Sequence, residues 1–364
     1  MSKISRREFL RSLAAGMGVI AFEQLLAACG LNPTETPQIP PSFAPRAQPT
    51  ATRSSLLEPT NTANSTQDIP RAPGATPSRA PAANAPAPTL PPTPNPDLVV
   101  ARGGEPEELA RRALAALGGI ERFVPKDSRV IVKPNICVAY HSYEYAATTN
   151  PFLVGALVKL CLEAGAREVQ VLDEPFGGSA EQAYQISGIQ EQVEAAGGKM
   201  VVMPRMKYAR HPIPNGIILK EIDIYDDILN ADAVINVPIA KHHNLARLTL
   251  GMKNLMGIIQ NRPAMHSNIG QKLADLSSLV HPTLTIVDAI RILVANGPTG
   301  GNLDDVQKLD TLVASPDLVA ADSYAATLFG RQPQELDYII AASAMGLGNS
   351  DLSSLRIEEV VVGA

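Results

Sequence analysis

The chain has 364 residues, 45% of them hydrophobic, 18% charged and 4% aromatic, with a formal net charge of -5 at pH 7. That acidic balance excludes a nucleic-acid binder of the phosphate-tracking kind, which shows a domain-wide excess of Lys and Arg. It also argues against steering of ligands by bulk charge, so any recognition of charge must be local.

The N-terminus reads as a targeting peptide. Ser5, Arg6, Arg7, Glu8, Phe9 and Leu10 form a paired-arginine start, and the apolar run from Leu13 to Phe22 is too short to span a bilayer. The pair resembles a twin-arginine export signal. Leu26, Ala27, Ala28 and Cys29 resemble a lipobox, where cleavage leaves Cys29 as the lipidated first residue. Arg6 and Arg7 also fit the basic start of any secretory signal, and Cys29 a chance thiol, but the two features fall in the right order around the apolar run. The expectation is a signal over residues 1–29, passage through the twin-arginine export machinery, and anchoring to the membrane outside the cytoplasm through the lipidated N-terminus.

Residues 30–97 form a linker. They hold 17 of the chain's 31 prolines among Ala, Thr, Ser and Asn, a composition that cannot bury a core. Treated as a flexible coil, the segment spans roughly 45 Å on average.

From Leu98 to Ala364 short β-branched runs alternate with helical segments, which predicts one α/β domain with a largely parallel sheet flanked by helices. A strand over Leu98–Ala101 precedes a helix that starts at Pro106 and ends near Gly118 and Gly119. A strand over Arg129–Lys133 and a long loop follow, then a helix capped by Asn150 with Pro151 at its first position, ending at Gly165. The strand Glu168–Leu172 completes a βαβ unit, and Ser179 with Gln182 three residues on opens the next helix. Further strands are predicted at Met200–Met203, Ile217–Ile224, Ala233–Val237, Thr283–Val287, Thr311–Ala314 and Arg356–Val362; if Asn244–Met256 is helical, Thr249 and Lys253 share one face.

In such sheets ligands gather at the carboxyl ends of the strands. Lys133 and Asn135 follow one strand, Asp173 and Glu174 the next, Lys241 and His243 a third, and Asp288 a fourth. Taken singly, each also fits a turn or a strand reaching solvent. The stretch Ile235–Gly257 says more, because Asn236, Lys241, His242, His243, Thr249, Lys253, Asn254 and Gly257 interrupt a run otherwise apolar enough to be core, and buried polar groups need partners. Lys253 with a lowered pKa would suit a base or an anion clamp, unless it lies on a solvated face. His266 with His243 and one of Asp173, Glu174 or Asp288 has the donor types of a divalent metal site, although the spacing is not diagnostic. Cys137 and Cys161, the cysteines after Cys29, match no metal, redox or iron–sulfur spacing.

Val132–Asn135, Thr149–Pro151, Ile235–Pro238, Lys241, His243, Lys253, Asn254, Gly257 and His266 together resemble the family known as domain of unknown function 362. Thr285–Asp288, Asn296–Gly301 and Asp317–Ser323 continue the likeness, in order, across the domain. The resemblance implies a redox association, since many relatives carry an added ferredoxin-type iron–sulfur module, which this chain lacks. His242 stands where relatives more often have a small hydroxyl residue.

The expected function is that of a cofactor- or metal-dependent enzyme on a small anionic molecule, with Lys133, Asn135, Lys241 and Lys253 holding negative charge. His243 would act as acid–base group or metal ligand, oriented by Asp173 or Asp288. One rival is a tethered protein that binds a small ligand or metal without turnover. The other is an envelope assembly factor with an exposed apolar patch.

Overall fold

The computed structural model describes residues 95–363; Arg6, Arg7, Cys29 and almost all of the linker lie outside them. Strand β1 (Leu98–Arg102) is followed by helix α1 (Pro106–Ala116), β2 (Arg129–Pro134), α2 (Pro151–Glu163) and β3 (Glu168–Val171). Then come α3 (Ala180–Ile186), α4 (Ile189–Ala195), β4 (Lys199–Met200), β5 (Tyr208–Pro212), β6 (Glu221–Tyr225) and α5 (Asp226–Leu229). Strands β7 (Ala233–Val237), β8 (Ile239–His243) and β9 (Arg247–Thr249) lead into the single-turn helix α6 (Gly251–Asn254). The domain closes with α7 (Ile269–Ser277), β10 (Leu284–Leu293), β11 (Val306–Ser315), α8 (Leu318–Thr327), α9 (Asp337–Ala344) and β12 (Ile357–Val361).

The main sheet runs β12-β1-β11-β10-β7-β2-β3-β4, with β8 added against β10 and β9 against β8. β11 is antiparallel to both neighbours and β9 to β8, while the remaining pairs are parallel. The sheet is therefore mixed and mostly parallel, flanked by helices on both faces, as the sequence predicts. Alternation along each strand builds the two cores. Val130, Val132, Ala233, Ile235, Leu284 and Ile286 face α1, α2 and α4. Ile131, Val234 and Val287 face α7, α8 and α9.

The predicted caps form: Asn150 accepts the N–H groups of Phe152 and Leu153, and Ser179 Oγ that of Gln182. Three segments differ from expectation. The strand predicted at Met200–Met203 ends at Met200, because β4 is an edge with one neighbour and Pro204 has no N–H to pair. The strand predicted at Ile217–Ile224 begins only at Glu221, in a hairpin with β5 outside the main sheet. Residues 217–219 are instead a loop whose three N–H groups all donate to the Asp275 carboxylate, at 2.7–2.8 Å. The helix weighed over Asn244–Met256 is replaced by a hairpin of β8 and β9, with Arg247 at φ 62°, followed by α6. Apolar spacing there fits both periods, and pairing of β8 with β10 decides it.

β2 and β3 are locked together at their carboxyl ends by an ion pair between the next-to-last residue of β2 and a residue just past β3. Lys133 Nζ donates to Asp173 Oδ1 at 2.7 Å, with the residues 0% and 2% exposed. Lys133→Met should lower unfolding stability by about 3–5 kcal/mol, since it leaves a buried carboxylate unpaired, and Lys133→Met with Asp173→Leu should lose distinctly less. Urea unfolding of the two variants measures the difference; equal losses would mean that the pair is not what holds the strand ends.

Candidate functional site

The polar residues at the carboxyl edge join into one buried network. Lys133 Nζ donates to Asp173 Oδ1, to the Pro134 carbonyl at 3.0 Å and to Asn254 Oδ1 at 3.2 Å. Asn254 Oδ1 also accepts from Asn135 Nδ2 at 3.0 Å, while Asn254 Nδ2 donates to the Lys133 carbonyl and to Asn236 Oδ1. Asn135 Oδ1 in turn accepts from Lys241 Nζ at 2.9 Å, and Lys241 donates a second bond to the Ala147 carbonyl. The network runs from β3 through β2 and α6 to β8, with its members mostly buried.

The loop between β2 and α2 is tied back onto the strand ends. Asn135 and Thr149 exchange backbone bonds with side chain and backbone, Thr149 Oγ1 donates to the Val237 carbonyl, and Cys137 N–H donates to Thr148 Oγ1. The α6 segment approaches so closely that a Cβ on Gly257 would stand 1.8 Å from Asp173 Oδ1. A Cβ on Gly251 would meet Asp322 Oδ1 at 2.7 Å. That carboxylate, wholly buried on α8, accepts the N–H groups of Gly251 and Met252 and so fixes the first turn of α6. Burial pushes its pKa up to about 7, against those two hydrogen bonds.

Lys253 projects from this turn. It is partly accessible, and among the described residues its Nζ makes no hydrogen bond or salt bridge. Burial lowers its pKa to about 8, helped by the charges of Lys241, Arg262 and Lys133 and opposed by Cys137. Lys241 is 1% exposed and also has no carboxylate within salt-bridge distance among the described residues; both its mapped partners are neutral oxygens. Lys133, by contrast, has its three N–H groups satisfied within the protein. In this arrangement it serves as the buried counter-ion of Asp173.

His243 Nδ1 accepts the N–H groups of Leu245 and Ala246, at 3.1 and 3.2 Å. The proton therefore belongs on Nε2, which leaves that nitrogen a donor and not a lone-pair ligand. Burial, then the charges of Lys253 and Lys241, push its pKa down to about 2. In this arrangement His243 is a neutral hydrogen-bond donor, oriented by its own turn. His266 faces the same lysine, and burial and Lys253 lower its pKa. Among the described residues no group of three His, Cys, Asp or Glu side chains is arranged to hold a metal, so the donor set expected around His243 and His266 does not come together.

The expected acidic partners are elsewhere engaged. Asp173 belongs to Lys133 and to the Ile136 N–H. Asp288 accepts from Asn150 N–H at 2.7 Å and Ile290 N–H at 3.0 Å, which fixes the start of α2. By alternation it follows Ile286 onto the sheet face opposite Lys133 and Asn236. Burial raises its pKa to about 6. Glu174, half-buried, lies against Arg262, whose guanidinium holds the carbonyls of Glu174 and Pro175. His242 Nδ1 accepts the Gly297 N–H and secures the loop after β10.

Sequence reasoning missed Asp322, Arg262 and Cys137. Asp322 carried a signal, as a carboxylate inside the otherwise apolar helix Leu318–Thr327. Cys137 is buried beside Lys253, with Sγ 3.5 Å from the Pro298 carbonyl; both it and Cys161 are free thiols.

A thylakoid-associated protein of Synechocystis sp. is 27% identical over 246 residues, covering 65% of this chain and 74% of its own. Among solved structures, the lactate racemase apoprotein of Thermoanaerobacterium thermosaccharolyticum overlaps with a TM-score of 0.42 at 12% identity, over 66% of this chain and 58% of that one. A protein of Thermotoga maritima overlaps at 0.39 and 14%, over 62% and 60%. The chain thus spans less than two thirds of either solved protein. Residues 130–327, more than half of the sequence and all of the network described above, match the domain of unknown function DUF362, and the chain belongs to that family.

Proposed function

We propose that this chain is an exported, membrane-tethered lipoprotein whose domain binds a small anion between Lys253, Lys241 and the Nε2–H of His243. The observation that carries the binding reading is Lys253, a half-buried lysine with no hydrogen-bond partner among the described residues and with cationic neighbours. An ammonium so placed is costly unless something negative meets it. The neutral His243 adds a directed donor without adding charge, which suits an oxygen-rich anion.

A second reading follows from the amine itself. With its pKa lowered to about 8, Lys253 can give up a proton at ordinary pH, the property of a general base. Turnover of the bound molecule would make the domain an enzyme, and Lys253 the group that moves the proton. The rival of a protein-binding assembly factor has no comparable observation in its favour.

Support for the tether comes from the order of Arg6, Arg7, the apolar run and Cys29, and from the thylakoid association of the Synechocystis relative. Among the described residues no helix is long and apolar enough to cross a membrane, so attachment in this reading rests on the lipid at Cys29.

Two outcomes are expected. Cys29→Ala should move the exported protein from the membrane fraction to the soluble one; unchanged fractionation would remove the lipoprotein reading. Inorganic phosphate should bind to the full chain in titration calorimetry, and Lys253→Ala should abolish the heat while the circular dichroism stays native. Because the charged form of Lys253 is the one that binds, affinity for the phosphate dianion, with phosphate's own second ionisation taken into account, should be flat well below pH 8. It should then fall by up to about tenfold per pH unit above that value. Binding unaffected by Lys253→Ala, or a dianion affinity that rises with pH, would refute this site.

A further inference from the structure

The charges around the site do not cancel, and the remainder says what kind of anion fits. Four cationic side chains approach the carboxyl edge: Lys133, Lys241, Lys253 and Arg262. Lys133 is neutralised by Asp173 in direct contact. Arg262 has the Glu174 carboxylate within attractive reach, and it donates to the backbone of that residue and the next. Asp288 is engaged with the start of α2 and Asp322 with the start of α6, and among the described residues neither forms a salt bridge with a lysine.

Lys241 and Lys253 remain. Lys241 is 1% exposed, yet its acceptors are an amide oxygen and a carbonyl, each able to take a hydrogen bond but not to balance a charge. Those two bonds leave it a third N–H. Lys253 brings all three of its own, and the two ammoniums lie close enough to repel. A single negative charge placed between them would leave one buried ammonium uncompensated, which is the expensive state.

We infer that the ligand of this site is a dianion, a phosphate monoester or a dicarboxylate, which matches the two positive charges that Lys241 and Lys253 leave unbalanced. The inference rests on the anion-binding reading above and narrows it. Donor geometry agrees: four lysine N–H groups and the His243 Nε2–H are more than one carboxylate accepts comfortably, and they suit three phosphoryl oxygens or two separated carboxylates.

The test compares malonate, inorganic phosphate and acetate by titration calorimetry on the full chain at pH 7.5 and constant ionic strength. Malonate or phosphate should bind at least about tenfold tighter than acetate, since the second charge meets a second ammonium at low dielectric. Lys253→Met removes one ammonium without breaking a mapped hydrogen bond, and it should shrink that preference toward equality. If malonate binds and phosphate does not, the dianion is a dicarboxylate; the reverse assigns a phosphate monoester. Acetate binding as tightly as both dianions, or a dianion preference that Lys253→Met leaves unchanged, would overturn the dianion while leaving anion binding intact. Heat from none of the three would overturn both readings. Should Lys253→Met fail to fold, Lys253→Gln serves the same comparison.

Discussion

The carboxyl edge of this domain depends on one buried ion pair. Lys133, in the last residues of β2, and Asp173, just past β3, face each other at the carboxyl ends of neighbouring parallel strands, 2.7 Å apart and out of water. Burial pulls the lysine's pKa down and the aspartate's up, and their mutual attraction opposes both shifts. The pair does more than join two strands. Its remaining hydrogen-bonding capacity reaches the Ile136 N–H on one side and Asn254 on the other, so the loop after β2 and the turn of α6 are both placed by it. Gly257 must be glycine because its backbone passes against the aspartate oxygen. A side chain there would push the segment that carries Lys253 and Asn254 away from the strands.

Around the pair, carboxylates serve backbone. Asp288 fixes the start of α2, Asp322 the start of α6, and Asp275 the loop over residues 217–219. A carboxylate that accepts backbone N–H groups in the interior orders a loop with little help from apolar burial, and it needs no cation to do so. The consequence is electrostatic. Acids that could have balanced Lys241 and Lys253 are committed to architecture, and the excess positive charge is concentrated where β2, β8 and α6 meet. An acidic protein thus holds a local cationic site, one that net charge does not reveal.

Much of this was legible in the sequence. Strand runs of Val and Ile, the Asn150-Pro151 cap and the Ser179 cap specified elements through local chemistry, and the structure repeats them. The polar interruptions between Ile235 and Gly257 marked the residues that the network gathers, because polar groups in an apolar run must find one another. What stayed hidden depends on partners far along the chain. That Asn244–Met256 is hairpin and turn follows from pairing of β8 with β10, some fifty residues on. That Asp288 serves α2 follows from which face of β10 it occupies. That His243 is a donor follows from two N–H groups in its own turn, which no residue type at positions 245 and 246 announces.

The same constraint bears on whether this site turns a molecule over. A histidine held neutral and a lysine of lowered pKa divide acid–base labour in an unusual way: the imidazole is fixed in one state, and the amine is the group free to change. Binding of an anion raises the pKa of Lys253 by attraction, so the ligand itself makes the amine a poorer base. Proton abstraction at this lysine therefore favours a molecule whose charge is carried mainly by Lys241, with the reacting atom placed toward Lys253. A molecule that ion-pairs Lys253 directly would be held and not turned over. On the proposed anion-binding reading, catalysis and capture are two outcomes of one geometry, separated by which of the two ammoniums the anion meets first.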